Sequence, residues 1–300
     1  MPSIDFLRAI TLIGGMGISA SIGAAENGLS NFTYGAQTSY AAWMPPPGVT
    51  SFFGYALYLN ADSVRDQDGN KVPGVEIQAA ALAPRIIHTW KQDFFGWKMT
   101  SGGVVVLVNL GVEVPGAEDH DAGPSVLGLE PLYLSRTFGT LTWFTGPFIY
   151  FPVGNHDRDA LANSDTHYFS IAWQVSASWN PDPRTDLSIN AAVEWKDEND
   201  ETNYESGDQA SVTFGGGYKP FDDLRWDFGF SGYFTDGLTD DEIDGRRVPG
   251  GGRTRKFAIG PKFVFWPRAG TAFVVQYQKE TLAENGAKGD LLWLECAIPF

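Results

Sequence analysis

The sequence is poor in cysteine, in basic residues and in long apolar runs. Cys296 is the single cysteine among 300 residues, so no internal disulfide can form. Beyond residue 25 no stretch of about eighteen apolar residues occurs, which excludes a membrane protein built from helices. Lys and Arg number 21 against 36 Asp and Glu, giving a net charge of -15. Because phosphate contacts need clusters of Lys and Arg, nucleic acid is not expected as a partner.

Aromatic residues and glycine are abundant, although the mean hydropathy is only -0.17. Aromatics make up 14% of the chain, and 35 residues are glycine. A barrel in a bilayer hides its hydrophobicity, because only every second residue of each strand meets lipid. This composition therefore favours a transmembrane barrel over an ordinary globular core.

Residues 1–25 are typical of a secretory signal peptide. Arg8 precedes a short apolar stretch, and Gly23-Ala24-Ala25 offers small residues for cleavage before Glu26. A buried N-terminal helix is the alternative interpretation of the same residues.

From residue 50 onward, apolar residues recur with period two, and the interleaved residues are small or polar. A soluble sandwich seldom needs so many Gly, Ala and Ser on its second face, whereas a crowded barrel lumen does. We therefore predict an all-β fold, a transmembrane antiparallel β-barrel of about 12 strands over residues 50–300. The predicted strands are 50–60, 76–90, 97–108, 128–139, 141–152, 168–180, 185–195, 208–219, 225–235, 254–265, 271–280 and 289–300. Long polar loops are expected at 62–74, 109–126, 153–167, 196–207, 236–253 and 281–288.

Residues 26–49 do not have the pattern of a strand. The stretch 45–48 is Pro-Pro-Pro-Gly, and prolines cannot join a strand ladder. Four aromatic side chains precede it and are poorly suited to water: Phe32, Tyr34, Tyr40 and Trp43. We predict that this segment folds back into the barrel and plugs the lumen. A poorly ordered tether is the alternative.

Several charged or amide side chains fall on the predicted lumen face. They are Glu194, Asp227, Lys256, Lys262, Gln276 and Glu295. Charges at bilayer depth are tolerated only inside a barrel, where they are paired or wetted. Lys262 is expected to pair with Asp227 or Glu295. The set is either a constriction on a substrate path or a network that stiffens a narrow barrel, and both interpretations stay open.

Prolines interrupt the two strands whose alternation is least regular. Pro131 and Pro147 each remove a ladder donor, so weak pairing is expected between these neighbours. One interpretation is a bulge. The other is a lateral opening through which a hydrophobic substrate leaves the lumen for the bilayer.

No catalytic or metal constellation is present in the sequence. The four histidines lack partners at metal-ligand spacing, and no cofactor is expected. Ser170 follows His167 by three residues, which places the two on opposite faces of a strand and disfavours a lipase. Acidic loops at 197–208 and 236–244 could hold divalent cations and bridge to lipopolysaccharide, but solvated loops are the simpler interpretation. The protein is not expected to be an enzyme.

The last ten residues, 291–300, alternate up to a terminal aromatic. Leu292, Leu294 and Phe300 belong to the apolar face, whereas Glu295 lies on the lumen side. We expect this strand to close the barrel and to serve as the signal for the barrel assembly machinery.

Taken together, these features resemble a family of outer-membrane channel proteins labelled for the MetA pathway of phenol degradation, which includes a sphingosine-uptake channel. The segments that carry the resemblance are AENGLSNFTYGAQT, MPPPG, YLNADSVRDQDGNKVPG, TNYESGDQ, FAIGPKF and YQKETLAENGAKGDLLWL. The resemblance implies a monomeric twelve-stranded barrel in the outer membrane of a Gram-negative bacterium. It also implies a lumen narrowed by the N-terminal segment, hydrophobic small molecules as substrates, and release through the wall. Arg136 and the irregular region 128–147 depart from the family pattern.

The sequence thus predicts passive uptake of small hydrophobic, aromatic or lipid-like compounds. Two alternatives remain: a structural or adhesion protein whose acidic loops bind cations, and a narrow porin for polar solutes.

Overall fold

The computed structural model of the chain describes residues 30–300, so the predicted signal peptide lies outside the described residues. Twelve long antiparallel strands follow one another along the chain. They are β1 Thr50–Arg65, β2 Glu76–Phe94, β3 Trp97–Val114, β4 Ala117–Phe138, β5 Leu141–Pro152, β6 Ser170–Trp179, β7 Thr185–Lys196, β8 Gln209–Tyr218, β9 Trp226–Gly237, β10 Arg255–Arg268, β11 Thr271–Glu284 and β12 Gly286–Pro299.

The sheet closes on itself. Each strand pairs with its neighbours in sequence, and β12 returns to pair with β1 from Ser51 opposite Pro299 to Arg65 opposite Gly286. Closure leaves none of these twelve strands with a free edge. The predicted fold class and the strand count are therefore confirmed. No helix within residues 30–300 is long and apolar enough to cross a membrane.

The two ends of the barrel differ in their connections. One end, called the turn end here, carries short links such as 94–97, 138–141 and 268–271. The other, called the loop end, carries the long connections 153–169, 197–208 and 238–254. Beyond the barrel, strand Lys71–Val72 pairs with β1. A four-stranded sheet made of Glu198–Asn199, Tyr204–Glu205, Glu242–Ile243 and Arg246–Arg247 joins two of the long loops.

Two predicted loops are wrong. Residues 109–126 continue the ladder of β3 and β4 around a turn at Pro115 and Gly116, where Gly116 has a φ of 89°. Residues 281–288 likewise continue β11 and β12, with Asn285 between them at a φ of 47°. The backbone ladder needs no apolar outer face, so the first hairpin extends with exposed Asn109 and Glu113 outside and buried Leu110 and Val112 inside.

The two faces of the strands separate as the alternation predicts. Lumen-facing Ser170, Gln174 and Ser178 are fully buried, whereas Trp173 and Trp179 between them are exposed on the outer face. Most of the large apolar side chains that remain exposed belong to the outer face of the strands. In a bilayer this face contacts lipid, which removes the cost of leaving it exposed to water.

The ladder between β4 and β5 is broken at the prolines. Pairing is in register at Leu129 opposite Ile149 and resumes one residue out of step at Leu134 opposite Thr145. Pro131 and Pro147 lie within the interval. Behind the break, Tyr133 and Phe144 pack in a buried cluster.

Candidate lumen site

Residues 30–49 form no strand before Thr50, yet their backbone groups meet lumen-facing side chains. Gly35 N donates to Oγ1 of Thr213 at 2.8 Å. Nζ of Lys262 donates to the Thr38 carbonyl oxygen at 2.8 Å. An extended segment without a ladder must satisfy its backbone in this way, and the polar side chains of the barrel supply the partners.

Toward the turn end, three consecutive amides of this segment meet β6 and β7. Tyr40 N donates to Oδ2 of Asp186 at 3.1 Å. Ala41 N donates to Oγ of Ser188 at 3.2 Å, and Ala42 N to Oγ of Ser178 at 2.9 Å. The predicted aromatic Trp43 stacks edge-on against Tyr40 but is 54% exposed, so it lies at the margin of the segment.

Toward the loop end, Glu194 binds the first described residues of the segment through hydrogen bonds. Its carboxylate accepts hydrogen bonds from Ser30 Oγ, from Phe32 N at 3.3 Å and from Ser170 Oγ at 2.8 Å. Asn31 Nδ2 donates to the same Ser170 hydroxyl at 3.0 Å.

Two glutamines of β11 hold the middle of the segment. Gln276 donates through Nε2 to the Gly35 carbonyl at 3.0 Å and to Oε1 of Glu295 at 2.7 Å, while its Oε1 accepts from Thr38 Oγ1. Gln278 Nε2 also donates to the Gly35 carbonyl, at 2.9 Å. Both glutamines thus bind the backbone oxygen of Gly35, and Gln276 also binds the side chain of Thr38.

An apolar cavity of about 200 Å³ lies between this segment and the opposite wall. The segment contributes Phe32 and Tyr34 together with polar side chains such as Asn31 and Gln37, and most of the far wall is aliphatic or aromatic. The apolar wall residues are Leu57, Leu59, Ala79, Ala81, Ala83, Val104, Val106, Val108, Val126, Phe148, Tyr150, Leu291 and Trp293. For scale, a purely apolar cavity of about 150 Å³ holds one benzene molecule.

Two buried ion pairs border the cavity. Arg85 forms a two-pronged pair with Glu130, with Nε to Oε1 at 2.6 Å and Nη2 to Oε2 at 3.0 Å. Lys256 lies 3.3 Å from Glu280, whose Oε1 also accepts the Tyr233 hydroxyl at 2.6 Å. Because buried charges are costly unless paired, these pairs let charged groups border an apolar space.

A second hollow, of about 640 Å³, lies on the outer face of the barrel across β12, β1, β2, β3 and β4. Leu57, Ala81 and Val108 line both this outer hollow and the inner cavity. These three residues therefore belong to the wall that the cavity and the outer hollow share.

The structure brings the predicted lumen residues together only in part. Phe32, Tyr34 and Lys256 line the cavity, and Glu194, Gln276 and Glu295 belong to the hydrogen-bond network already given. Both predicted partners of Lys262, Asp227 and Glu295, lie near enough to act on its charge, but neither forms an ion pair with it within 4.0 Å. The nearest carboxylate oxygen is that of Asp186, at 4.0 Å from Nζ, because two glycines between the strands let the side chains meet.

Three important residues escaped the sequence analysis: Asp186, Arg85 and Glu130. Asp186 shares the alternation of Ser188 and Asn190, which would have placed it in the lumen. The charges of Arg85 and Glu130 stand inside otherwise apolar strands, and such charges mark the inside of a barrel.

The long loops hold titratable groups without a metal arrangement. Across residues 30–300, no group of three or more His, Cys, Asp or Glu is placed to hold a metal ion. Burial raises the pKa of Asp165 in the loop 153–169, although its carboxylate accepts hydrogen bonds from Gly154 N and His167 N. The rings of His156 and His167 stack at 5.2 Å.

Comparison with known proteins identifies the family. Residues 61–296 match the model of the family described as "Putative MetA-pathway of phenol degradation". The chain belongs to this family. The resemblance found in the sequence segments is therefore confirmed. No curated protein matches the chain.

Among solved structures, the COG4313 outer membrane channel from Pseudomonas putida F1 is similar over 90% of this chain and 100% of that chain, with a TM-score of 0.75 and 16% identity. At this identity the likeness shows a shared fold. The β domain of the Bordetella autotransporter BrkA has a TM-score of 0.49 and 10% identity, over 84% of this chain and 100% of that chain.

Proposed function

We propose that the protein is an outer-membrane channel for passive uptake of small hydrophobic, aromatic or lipid-like compounds. The apolar cavity between Phe32 and the wall at Val106 and Val108 carries this proposal. Its volume suits one aromatic ring or a short alkyl chain. Each apolar group that leaves water there gains about 25 cal/mol per Å² buried, which is enough to hold a solute transiently. The turn end faces the periplasm, and the protein acts as a monomer in the outer membrane of a Gram-negative bacterium.

In this proposal residues 26–49 are a plug that narrows the lumen. Its described part is tied to Glu194, Gln276, Lys262 and Asp186, so a polar solute would have to displace several hydrogen bonds to pass. An apolar solute needs only the space on the other side of the segment. The arrangement therefore favours apolar solutes over polar ones.

The proposal includes lateral release into the bilayer. Support comes from Leu57, Ala81 and Val108, which line both the cavity and the outer hollow and so separate the two. Pro131 and Pro147 are the second candidate opening, since the ladder is interrupted there. Tyr133 is fully buried behind that interruption, so release at the prolines would require it to move.

Uptake by cells with an intact lipopolysaccharide layer tests the proposal, because that layer is the barrier to hydrophobic compounds. Cells producing the protein should accumulate a radiolabelled aromatic hydrocarbon faster than cells without it. Ala81→Trp fills the cavity beside the outer hollow and should slow accumulation, whereas Ala191→Trp, on the outer face of β7, should not. Equal accumulation with and without the protein would refute the uptake function. Equal rates for the two Trp variants would refute passage through the cavity at Ala81, and with it the lateral route there.

A further inference from the structure

A row of lumen-facing positions crosses four strands near the turn end. Asp186 on β7 is opposite Gly217 on β8, Gly217 is opposite Gly229 on β9, and Gly229 is opposite Lys262 on β10. The two glycines have no side chains, so they leave a trench in the lumen wall, with Asp186 at one end and Lys262 at the other. Lys262 lies along it and reaches Asp186 at 4.0 Å.

Asp227, on β9, projects into the same trench. A side chain on Gly217 would overlap Oδ1 of Asp227, so the carboxylate rests against that glycine. Asp227 is 0% exposed, and neither of its oxygens has a hydrogen-bond partner among residues 30–300. An ionised carboxylate buried without any donor is strongly unfavourable, so this side chain needs a partner that residues 30–300 do not provide.

The ammonium groups around Asp227 are shared with other carboxyl groups. Lys262, Asp186 and Lys219 are the charged groups that act on Asp227, and Glu295 acts on Lys262 from the other side. Both ammonium groups have other partners, because Lys262 donates to the Thr38 carbonyl and Lys219 to the Tyr40 hydroxyl at 3.0 Å.

We propose that Asp186 and Asp227, facing each other across Gly217, bind a small monovalent cation such as Na⁺ or K⁺. No group of three or more His, Cys, Asp or Glu is placed to hold a metal ion within residues 30–300, so the acidic ligand set typical of a divalent-cation site is absent there. None of these residues lines the apolar cavity, so the site is distinct from the hydrophobic path and stands whether or not uptake is shown.

The site also touches the N-terminal segment. Asp186 accepts a hydrogen bond from the Tyr40 amide, and Lys262 donates to the Thr38 carbonyl oxygen. Two of the side chains that hold residues 38–40 therefore belong to this charge cluster. A bound cation removes the competition of two carboxylates for Lys262. The cation is therefore expected to tighten the segment at the turn end.

Folded protein in detergent, with ionic strength held constant by N-methyl-D-glucamine chloride, provides the test. The unfolding midpoint should rise with NaCl or KCl and saturate, since a ligand that binds only the folded state stabilises it. Asp227→Asn keeps the shape, removes the charge and should abolish the saturable rise. Asp223→Asn, in the exposed turn before β9, should retain it. A rise in Asp227→Asn equal to that of the unaltered protein would overturn the proposal.

A second measurement does not depend on any variant. Broadening of the ²³Na resonance by the unaltered protein should be reversed by K⁺ and not by N-methyl-D-glucamine. If the sodium line is not broadened, and the infrared band of a buried protonated carboxyl is present instead, a proton neutralises Asp227 and the cation site is refuted.

Discussion

The wall formed by β1 to β4 and the wall formed by β6 to β9 carry opposite chemistry on their lumen faces. The first presents Leu57, Ala81 and Val106 to the cavity. The second presents Gln174, Asn190 and other buried polar side chains. The same alternation of residues therefore builds two different inner surfaces within one barrel, and the N-terminal segment lies between them.

The two walls also differ in regularity. Strands β2, β3 and β4 have 19, 18 and 22 residues, and the ladders that join them shift register. Strands β6, β7 and β8 have 10, 12 and 10 residues, and their ladders run without a shift. The regular wall holds the segment through hydrogen bonds. The irregular wall lines the apolar cavity and adjoins the outer hollow. In the proposed function, one side of the lumen therefore binds the N-terminal segment and the other side passes the solute.

The largest effect, a loss of membrane insertion, is expected from a change in β12, the strand that closes the barrel against β1. Deletion of Phe300, which is 73% exposed, should prevent most of the protein from inserting, because the terminal aromatic is proposed to be the assembly signal. Heat-modifiable migration of membrane fractions on gels measures insertion. Glu295→Gln on the same strand should insert normally, since it alters only the lumen network. Normal insertion without Phe300 would contradict the assembly role.

Within the irregular wall, Arg85→Leu should destabilise the folded barrel by about 3–5 kcal/mol, because it leaves Glu130 buried and unpaired. Urea unfolding in detergent, followed by circular dichroism, measures this change. The double variant Arg85→Leu, Glu130→Leu should recover most of the stability. If the double variant is as unstable as the single one, the pair has a structural role beyond charge neutralisation.

Against the regular wall, removal of residues 26–48 should raise the single-channel conductance several-fold in planar bilayers. The segment fills space beside Glu194 and Asp186, and its loss would leave a polar, water-accessible lumen. Circular dichroism should show that the barrel itself is retained. Unchanged conductance would contradict the plug, and high conductance of the intact protein would instead indicate a polar-solute porin.

The smallest effect concerns the loop end. Partial burial, followed by the charges of Glu242 and Glu198, raises the pKa of Glu205. Because the folded-state pKa is raised, protonation of Glu205 stabilises the folded loop. This contribution is complete below the unfolded-state pKa and is lost as the pH rises through the folded-state pKa. Hydrogen exchange of amides 198–205, corrected for intrinsic rates, should therefore be slower at pH 4 than at pH 7. Glu205→Gln should remove the difference, whereas Glu76→Gln, on β2, should not.

Much of the barrel was predictable because side-chain alternation is a local property. Trp173 and Trp179 lie outward, and Gln276 and Lys262 inward, as the period of two requires. The hairpin around Pro115 was missed because exposed polar residues such as Asn109 and Glu113 resemble a polar loop, although Leu110 and Val112 between them keep the alternation of a strand.

The partners of the charged lumen side chains were not predictable, because they depend on strand register and on the size of the residues on the strands between them. Arg85 reaches Glu130 across β3 where Gly102 leaves room. Lys262 reaches Asp186 across two further strands at Gly217 and Gly229. Neither contact is visible in spacing along the chain, since each joins strands that are not neighbours.

A crystal structure with a brominated aromatic, such as bromobenzene, tests the central contrast between the two walls most directly. The account predicts an anomalous bromine peak in the cavity bounded by Val106, Phe148 and Trp293, with the hydrogen bonds of residues 35–42 unchanged. A peak on the polar side, among Gln174, Asn190 and the segment, would contradict it. So would bromine found solely on the outer surface of the barrel.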